Sequence, residues 1–272
     1  MAIKAVWFDL DDTLLWDARS VQESFEVTCE KAAMKYAELD AAKLEEAVRE
    51  AARDLYAGYE TYGFTQNIGI NPFEGLWGNF RGETHEMFHK MEQIVPQYRT
   101  DAWTKGLKAL GIEDAELGHE LGEMFAAERR KRPYTYEETY TILDELKESY
   151  KLVLLTNGSP DLQNEKLSAV PELAPYFDLI MISGKFGKGK PSPELFEHVM
   201  EEVGVSADEA IMVGDKLTTD IKGANSVGIT SVWINRENHP PSDEIKPVYE
   251  IKHLSELHGI LKELNAKQKT KI

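Results

Sequence analysis

The feature that most constrains the fold is an alternation of short apolar runs with helix-like segments along residues 134–245. Each apolar run is continuous rather than interrupted by polar residues, which is typical of strands that are covered on both faces. The runs are Val6–Leu10 near the amino terminus and then KLVLLTNG, LIMISG, AIMVGD and ITSVWINR. Because helical segments lie between these last four runs, the pattern predicts an α/β fold with an open, doubly wound parallel sheet.

Residues 17–132 have a different pattern, with helical periodicity and almost no strand signal. The segments ARSVQESFEVTCEKAAMKYAEL and DAAKLEEAVREAARDLYAGYETY carry apolar residues at intervals of three and four among charged ones, as amphipathic helices do. We therefore predict two domains: an α/β core domain formed by residues 1–15 and 134–272, and a smaller all-helical domain formed by residues 16–133.

The formal net charge of −17 argues against a nucleic-acid backbone or an anionic membrane as a partner, because like charges repel. It is compatible with a small anionic substrate when a cation is bound locally. Cys29 is the single cysteine, so no internal disulfide can form. The sequence shows neither the apolar core of a signal peptide nor a run of about 18 apolar residues. We expect a cytoplasmic protein, a monomer or a homodimer, without nucleic-acid or membrane partners.

Chemically versatile residues follow the first four predicted strands, at the point where each strand ends. In strand order they are Asp9, Asp11 and Thr13; Thr156, Asn157 and Gly158; Lys188 and Lys190; and Asp215 and Asp220. Ligands of open α/β sheets bind outside the carboxyl ends of the strands. A single aspartate there is commonly a turn former or a helix cap, but this chemistry at four strand ends predicts one common site.

Four short motifs carry a family resemblance. They are D-L-D-D-T at 9–13, T-N-G at 156–158, K-P at 190–191 and G-D-x-x-x-x-D at 214–220. In order and in placement at strand ends, they resemble the four motifs of the haloacid dehalogenase-like (HAD) superfamily. The resemblance covers residues 1–15 and roughly 134–245. It implies a Rossmann-like core and a hydrolase that forms a covalent aspartyl intermediate.

The resemblance also implies a role for each matching residue in phosphoryl transfer. Asp9 would be the nucleophile that attacks phosphorus and becomes an aspartyl-phosphate. Asp11 would protonate the leaving oxygen and then deprotonate the hydrolytic water. Thr156 and the backbone at Asn157 would donate hydrogen bonds to the phosphate oxygens. Lys190 would bind the phosphate and supply a fixed positive charge to the transition state.

A magnesium ion is the implied cofactor, because a hard cation with oxygen ligands would neutralise the carboxylates and the phosphate together. By the same resemblance its protein ligands are a carboxylate oxygen of Asp9, the main-chain carbonyl of Asp11 and the carboxylate of Asp215. Asp220 would lie in or just beyond the metal shell, where it would orient a water molecule or Lys190. The acidic strand end is then half of a site that metal and phosphate complete.

Two neighbours of the motif residues have competing interpretations. Lys188 lies close enough in sequence to reach the same strand end as Lys190, but Pro191 matches the family pattern and favours Lys190. Asp12 occupies a variable position of the first motif, so we interpret it as a solvated or backbone-capping residue.

The motif residues also separate candidate activities. The dehalogenase branch needs neither a leaving-group acid nor a metal, so the presence of Asp11 and Asp215 favours phosphomonoester hydrolysis over a haloacid dehalogenase-type reaction. A phosphomutase uses the same nucleophile and metal, and these motifs leave that alternative open. A non-catalytic scaffold is least favoured, because it would tolerate the loss of Asp9 or Asp11.

The helical insertion bears on the substrate. Thr13 and Thr156 are separated by far more than the dozen or so residues that one crossover needs. The insertion therefore resembles the all-helical cap of the branch that contains dehalogenases and many small-metabolite phosphatases. A cap would exclude water and close on the substrate, which favours a small phosphorylated metabolite over a phosphoprotein.

Several metabolites fit this expectation, namely phosphoserine, a nucleoside monophosphate and a sugar phosphate. The whole-chain pattern resembles bacterial and archaeal phosphoserine phosphatases, so phosphoserine is the favoured substrate. The basic run at 129–132 is a candidate anion clamp, although a solvated helix face is the commoner arrangement for such a run.

Overall fold

The computed structural model describes residues 2–82 and 84–269, and the chain divides into two compact units. The α/β unit comprises residues 1–16, 135–158 and 170–272, and the helical unit comprises residues 17–134 and 159–169. Residues 159–169, which the sequence-based boundaries place in the α/β core, thus group with the helical unit.

The α/β unit contains, over the described residues, a six-stranded parallel sheet. Its strands are β1 (Ala5–Phe8), β2 (Lys151–Thr156), β3 (Leu179–Ile182), β4 (Ala210–Gly214), β5 (Thr230–Ile234) and β6 (Tyr249–Ile251). Their order across the sheet is β3-β2-β1-β4-β5-β6. The chain therefore winds outwards from β1 in both directions, and the predicted α/β fold with a doubly wound parallel sheet is confirmed.

Strand register brings the ends of the central strands to one edge. Phe8 at the end of β1 pairs with Leu154 of β2 and with Val213 of β4. Because all three strands run in the same direction, the residues that follow them leave the sheet side by side. The fold thus places the first, second and fourth motifs next to one another.

Both faces of the central strand are buried, as its continuous apolar sequence predicts. Val6 and Trp7 point to opposite faces, since successive side chains of a strand alternate, and both are 0% exposed. The Trp7 ring stacks on Phe196 with centroids 6.2 Å apart. Phe196 in turn lies so close to Gly223 that a Cβ atom there would be 2.5 Å from Phe196 Cζ.

The α-helices are numbered here in chain order. They are α1 (Asp17–Lys35), α2 (Ala41–Ala57), α3 (Tyr62–Ile68), α4 (Pro72–Gly75), α5 (Glu86–Ala109), α6 (Ala115–Arg130), α7 (Thr139–Leu146), α8 (Pro160–Ala169), α9 (Ser183–Phe186), α10 (Pro193–Val203), α11 (Lys222–Val227) and α12 (Leu257–Lys269). A π-helical turn, Leu217–Ile221, precedes α11, and 3-10 turns occur at Ala174–Tyr176, Ala207–Glu209 and Leu254–Glu256. Among these helices of the described residues, none is both long enough and apolar enough to cross a membrane.

Helices α1 to α6 and α8 form the helical unit around an aromatic core. The Phe25 ring lies 4.4 Å from that of Phe125 and 5.8 Å from that of Trp103, measured between centroids. Leu162 of α8 joins the same core, and this contact explains why α8 groups with the helical unit. Helices α2 and α5 cross at Gly106, where a Cβ atom would lie 3.1 Å from the Cα atom of Val48.

Candidate active site

The first motif forms a tight turn directly after β1. The amide of Asp9 donates to the carbonyl of Val213 on β4 at 2.9 Å, which fixes the start of the turn. The amides of Leu14 and Leu15 both donate to the Leu10 carbonyl, at 3.0 and 2.9 Å. Asp12 has φ of +59°, a left-handed conformation that Asp tolerates better than most residues. We refer to residues 10–15 as the β1 turn.

Lys190 lies between two carboxylates. Its Nζ atom is 2.5 Å from Asp9 Oδ1, 2.7 Å from Asp220 Oδ1 and 2.8 Å from the Leu155 carbonyl, and the residue is 5% exposed. Burial acts to lower the pKa of Lys190, but the attraction of Asp220 and Asp9 outweighs it and raises that pKa above its ordinary value. Lys190 therefore carries a positive charge at any physiological pH.

The choice between the two candidate lysines follows from their surroundings. Lys188 is half exposed and pairs with Glu194. Lys190, in contrast, is held by its own backbone: its amide donates to Asn157 Oδ1 at 2.8 Å, and Asn157 Nδ2 donates to its carbonyl at 3.0 Å. The Asn157 side chain thus positions Lys190. The sequence indicated only a backbone contact to phosphate at Asn157.

The second motif ends in buried backbone. Thr156 is the last residue of β2 and is 1% exposed, with its hydroxyl 3.4 Å from the Asn157 carbonyl. The amide of Gly158 donates to Ser183 Oγ at 2.9 Å. The hydroxyl and the following backbone are therefore fixed at the same sheet edge as Asp9.

The fourth motif places two further aspartates at the end of β4. Asp220 Oδ2 accepts from the Lys216 amide at 3.1 Å, and a Cβ atom on Gly214 would lie 2.5 Å from the same oxygen. Only glycine at position 214 leaves room for this carboxylate. The Asp215 carbonyl accepts from Trp233 Nε1 of β5 at 2.7 Å, which fixes the backbone of Asp215.

Three carboxylates converge at this edge, and we call Asp9, Asp215 and Asp220 the acid cluster. Each offers an oxygen atom, and these atoms all lie within 4.8 Å of one another. Asp11, the remaining predicted ligand, lies two residues after Asp9 in the β1 turn, where its predicted contribution is its main-chain carbonyl.

The three carboxylates of the acid cluster outnumber the one cation in contact with them, Lys190. Burial raises the pKa of Asp9 from 3.8 to about 7; Lys190 opposes this shift, and Asp220 and Asp11 add to it. Burial, followed by the charges of Asp220 and Asp9, likewise raises the pKa of Asp215 well above its ordinary value. A bound divalent cation would remove this repulsion, and a donor set made of oxygen atoms suits Mg²⁺.

The sequence analysis missed two residues that contact the site. Trp233 lies in β5, and Arg236 follows it. Trp233 holds Asp215, as described above, and Arg236 Nη2 donates to the Thr13 carbonyl of the β1 turn at 3.2 Å. Arg236 stands two residues after β5 ends at Ile234. The strand-end rule, extended to the fifth strand, would have indicated it.

Comparison with known sequences agrees with this geometry. Residues 3–228 match the family described as haloacid dehalogenase-like hydrolase. A phosphoserine phosphatase of Thermus thermophilus is 33% identical over 257 residues, which cover 94% of this chain and 98% of that protein. The 5-amino-6-(5-phospho-D-ribitylamino)uracil phosphatase YigB of Escherichia coli is 28% identical over 273 residues, covering 95% and 96%. The N-acylneuraminate-9-phosphatase of Mus musculus is 31% identical over 186 residues, covering 67% and 75%.

Solved structures share the fold over nearly the whole chain. The HAD-hydrolase YfnB of Bacillus subtilis, described as bound to magnesium, superposes with a TM-score of 0.66 at 22% identity and covers 96% of this chain and 99% of that one. A 2-haloacid dehalogenase of Pseudomonas syringae superposes with a TM-score of 0.54 at 25% identity, with the same two coverages. At such low identity, these likenesses concern the fold alone.

Proposed function

Because this chain belongs to the haloacid dehalogenase-like hydrolases and is a phosphatase, we propose that it hydrolyses a small phosphorylated metabolite with the help of Mg²⁺. The observation that carries the proposal is the convergence of the acid cluster and Lys190 at one sheet edge. Phosphoryl transfer requires the nucleophile, positive charge and phosphate to be held in one place, and this edge provides the first two.

Asp9 is the proposed nucleophile. Its carboxylate attacks phosphorus, a P–O bond to Asp9 forms, and the bond to the leaving oxygen breaks. It is 7% exposed, so little water competes for it, and Lys190 is in contact with Oδ1. The positive charge at Lys190 keeps a fraction of Asp9 ionised, and it would also stabilise the charge on the phosphate oxygens.

Asp11 is the proposed general acid and base. It lies in the β1 turn, which is stabilised by the hydrogen bonds that the amides of Leu14 and Leu15 donate to the Leu10 carbonyl. Asp11 would give a proton to the leaving alkoxide and later take one from the water that attacks the aspartyl-phosphate. This second step returns Asp9 as a carboxylate and releases inorganic phosphate.

The residues of the acid cluster fit a magnesium ion. The side chains of Asp9 and Asp215 and the carbonyl of Asp11 would hold it, and when bound it would neutralise charge on the carboxylates and on the phosphate. Asp220 has a different proposed role, since its two oxygens contact Lys190 and the Lys216 amide. We assign Asp220 to the positioning of Lys190.

Phosphoserine is the proposed substrate. The support is the Thermus thermophilus phosphoserine phosphatase, which is similar to this chain along almost the full length of both proteins. The relatives named for a ribitylamino-uracil phosphate and for an acylneuraminate phosphate make nucleotide and sugar phosphates the alternatives. A phosphomutase would differ in transferring the phosphoryl group back to an organic acceptor instead of water.

The test is a screen of the purified protein against phosphorylated metabolites, with Mg²⁺ and with excess chelator. We expect phosphate release that requires Mg²⁺, with phosphoserine among the best substrates. Asp9→Asn should abolish release, whereas Asp12→Asn is a matched control, because Asn also tolerates the left-handed backbone at position 12. Phosphate release that survives Asp9→Asn or chelation contradicts the mechanism.

Two further measurements separate the alternatives. Quenching the reaction with hydroxylamine should convert an aspartyl-phosphate into a hydroxamate, and mass spectrometry should locate it at Asp9. Incubation with 2-chloropropionate should release no chloride. Chloride release would favour a dehalogenase. A phosphorylated organic product in place of inorganic phosphate would favour a phosphomutase.

A further inference from the structure

Tyr136 is held between a tryptophan and an arginine in the α/β unit. Its ring stacks on Trp16, with centroids 5.2 Å apart and an angle of 18° between the planes. The guanidinium carbon of Arg236 lies 3.6 Å from the centroid of the same ring. Because Trp16 covers one face of the ring, Arg236 stacks on the other. The stack therefore joins Trp16, directly after the β1 turn, to Arg236, two residues after the end of β5.

Arg236 contacts three residues in two separate segments with one side chain. Besides stacking on Tyr136, its Nη1 atom is 2.6 Å from Glu138 Oε1, and its Nη2 atom donates to the Thr13 carbonyl at 3.2 Å. Its side chain is 14% exposed and that of Glu138 is 11% exposed. This ion pair is therefore largely shielded from water. Two opposite charges attract each other more strongly in such surroundings than at the exposed surface.

The segment that carries Tyr136 also supports the β1 turn directly. The Leu14 carbonyl accepts from the Tyr136 amide at 3.1 Å and from Thr139 Oγ1 at 2.8 Å. The carbonyls of Thr13 and Leu14, at the end of the turn, are thus held by donors from outside it. Arg236 supplies one of them, and its contacts with Tyr136 and Glu138 hold it in place.

The backbone that presents Arg236 is itself fixed. The amide of Asn235 donates to the Ile251 carbonyl of β6 at 2.7 Å. Its side chain donates to Glu250 Oε1 at 2.7 Å and accepts from the His239 amide at 2.8 Å. Hydrogen bonds thus fix Asn235, the residue before Arg236, and the Arg236 side chain extends from there to the β1 turn.

We propose that Arg236 is a positioning residue that holds the β1 turn, and through it Asp11, in the geometry that phosphoryl transfer needs. The inference rests on the proposed function for its catalytic consequence, because Asp11 is the proposed acid and base. A guanidinium is suited to this role because it is planar, stacks on a ring and donates in two directions at once. Lysine has the charge but neither the plane nor the fork.

The experiment compares Arg236→Lys and Arg236→Met with a matched variant in the helical unit, Arg49→Met. Arg49 has the same kind of surroundings, with its guanidinium carbon 4.1 Å from the Phe25 ring centroid and Nε 2.8 Å from Glu45 Oε1. Each variant is measured in two ways: amide hydrogen exchange of the peptide containing the β1 turn, and steady-state hydrolysis of phosphoserine and p-nitrophenyl phosphate. All measurements are made well below the melting temperature of each variant.

We expect both Arg236 variants to exchange the amides of Leu14 and Leu15 faster than the wild type. We also expect kcat to fall about ten- to a hundredfold, since a small displacement of a catalytic group has an effect of this size, with little change in KM. Arg49→Met should leave both measurements unchanged. Equal exchange in wild type and Arg236→Met, full kcat in Arg236→Lys, or the same changes in Arg49→Met would each overturn the proposal.

The two measurements also keep this inference apart from the proposed function. If the wild type hydrolyses no phosphomonoester, the proposed function fails, and the exchange data still decide whether Arg236 holds the turn. If the wild type is active and only the exchange or kcat results disagree, the role of Arg236 fails and the proposed function stands.

Discussion

Each unit of this protein buries a group of charged side chains, and the two groups differ in balance. The acid cluster of the α/β unit has three carboxylates beside one cation, Lys190. In the helical unit two acids and two bases lie together, and we call them the balanced network: Asp17, Glu74, Arg129 and Lys166, of which all but the partly buried Asp17 are buried. Arg129 Nη2 is 2.7 Å from Asp17 Oδ1, and Lys166 Nζ is 3.1 Å from Glu74 Oε1 and 3.8 Å from Asp17 Oδ1.

The pKa values of Asp17 in the balanced network and Asp9 in the acid cluster shift in opposite directions. Burial acts to raise the pKa of Asp17, but Lys166 and Arg129 outweigh it and lower that pKa. In the acid cluster, burial wins, and the pKa of Asp9 rises to about 7. A buried charge with too few partners costs stability, and pairing it with an opposite charge offsets part of that cost. The balanced network contains equal numbers of acids and bases, whereas the surplus of carboxylates in the acid cluster supports our proposal that this cluster binds a cation.

The largest expected effect is that of Asp9→Asn. We expect it to lower kcat by at least about 10³-fold, as the loss of a nucleophile does. In metal-free protein it should also raise the melting temperature, because it removes one of the crowded carboxylates. Steady-state kinetics and thermal unfolding of the same sample measure both. If the variant is inactive but less stable than the wild type without metal, the carboxylates of the acid cluster do not destabilise the fold. The inferred difference from the balanced network would then be wrong.

The next largest effect is expected in the helical unit, from Arg129→Met. This change leaves the partly buried Asp17 with the more distant Lys166 as its remaining partner. Because breaking a fully buried pair costs about 3–5 kcal/mol, we expect a loss of at most that size. Urea unfolding measures the loss. Lys31→Met is the control, since Lys31 and Glu120 form an exposed pair 3.9 Å apart, where a loss below about 1 kcal/mol is expected. Equal losses in the two variants would show that the balanced network adds nothing specific.

The third expectation concerns pH in metal-free protein. A carboxyl whose folded pKa is raised binds its proton more tightly in the folded state, so its contribution to stability falls as the pH rises. For Asp9 this window runs from 3.8 to about 7, with a slope of at most about 1.4 kcal/mol per pH unit. The stability difference between Asp9→Asn and wild type should therefore grow across this window. A difference that is constant with pH would contradict the raised pKa.

Asp17 should show the opposite sign. Its lowered pKa means that its contribution to stability is present above its ordinary pKa and is lost as the pH falls through the lowered value. Asp17→Asn should therefore reduce stability most at neutral pH and less in acid. Urea unfolding at several pH values measures the difference.

The smallest effect is expected from Asp215→Asn without metal. Removing one carboxylate of the acid cluster relieves repulsion with Asp220 and Asp9, so we expect the stability of the metal-free protein to rise. Asp243→Asn, at an exposed position, should change stability by less than about 0.5 kcal/mol. Thermal unfolding in chelator distinguishes the two, and a loss of stability in Asp215→Asn would contradict the repulsion inferred for the acid cluster.

The sequence predicted the sheet well because five of its strands are continuous apolar runs; four of them are buried on both faces, and in β3 only Ile182 is fully buried. β6 was missed, since Tyr249–Ile251 is only three residues long and includes the exposed Glu250. Its strand character comes from pairing with β5, which no local pattern shows. The placement of α8 with the helical unit likewise depends on the tertiary contact of Leu162.

In the site, the strand-end rule brought together Asp9, Lys190 and Asp215, and the structure places them at one edge. The rule does not identify the residues that hold the site residues in place through tertiary contacts. The Asn157 side chain binds the backbone of Lys190, and Arg236 binds the β1 turn; neither partner is near in sequence. Arg129, interpreted as an anion clamp or a solvated helix charge, is instead buried against Asp17.

We propose that the acid cluster is incomplete without a divalent cation. The most direct test is calorimetric titration of Mg²⁺ into wild type and Asp215→Asn near pH 7, in two buffers of different ionisation enthalpy. We predict a single Mg²⁺ site in the wild type, with protons released on binding because Asp9 and Asp215 have raised pKa values, and much weaker binding in the variant. Equal binding in both proteins, or no Mg²⁺ binding to the wild type, would contradict the claim.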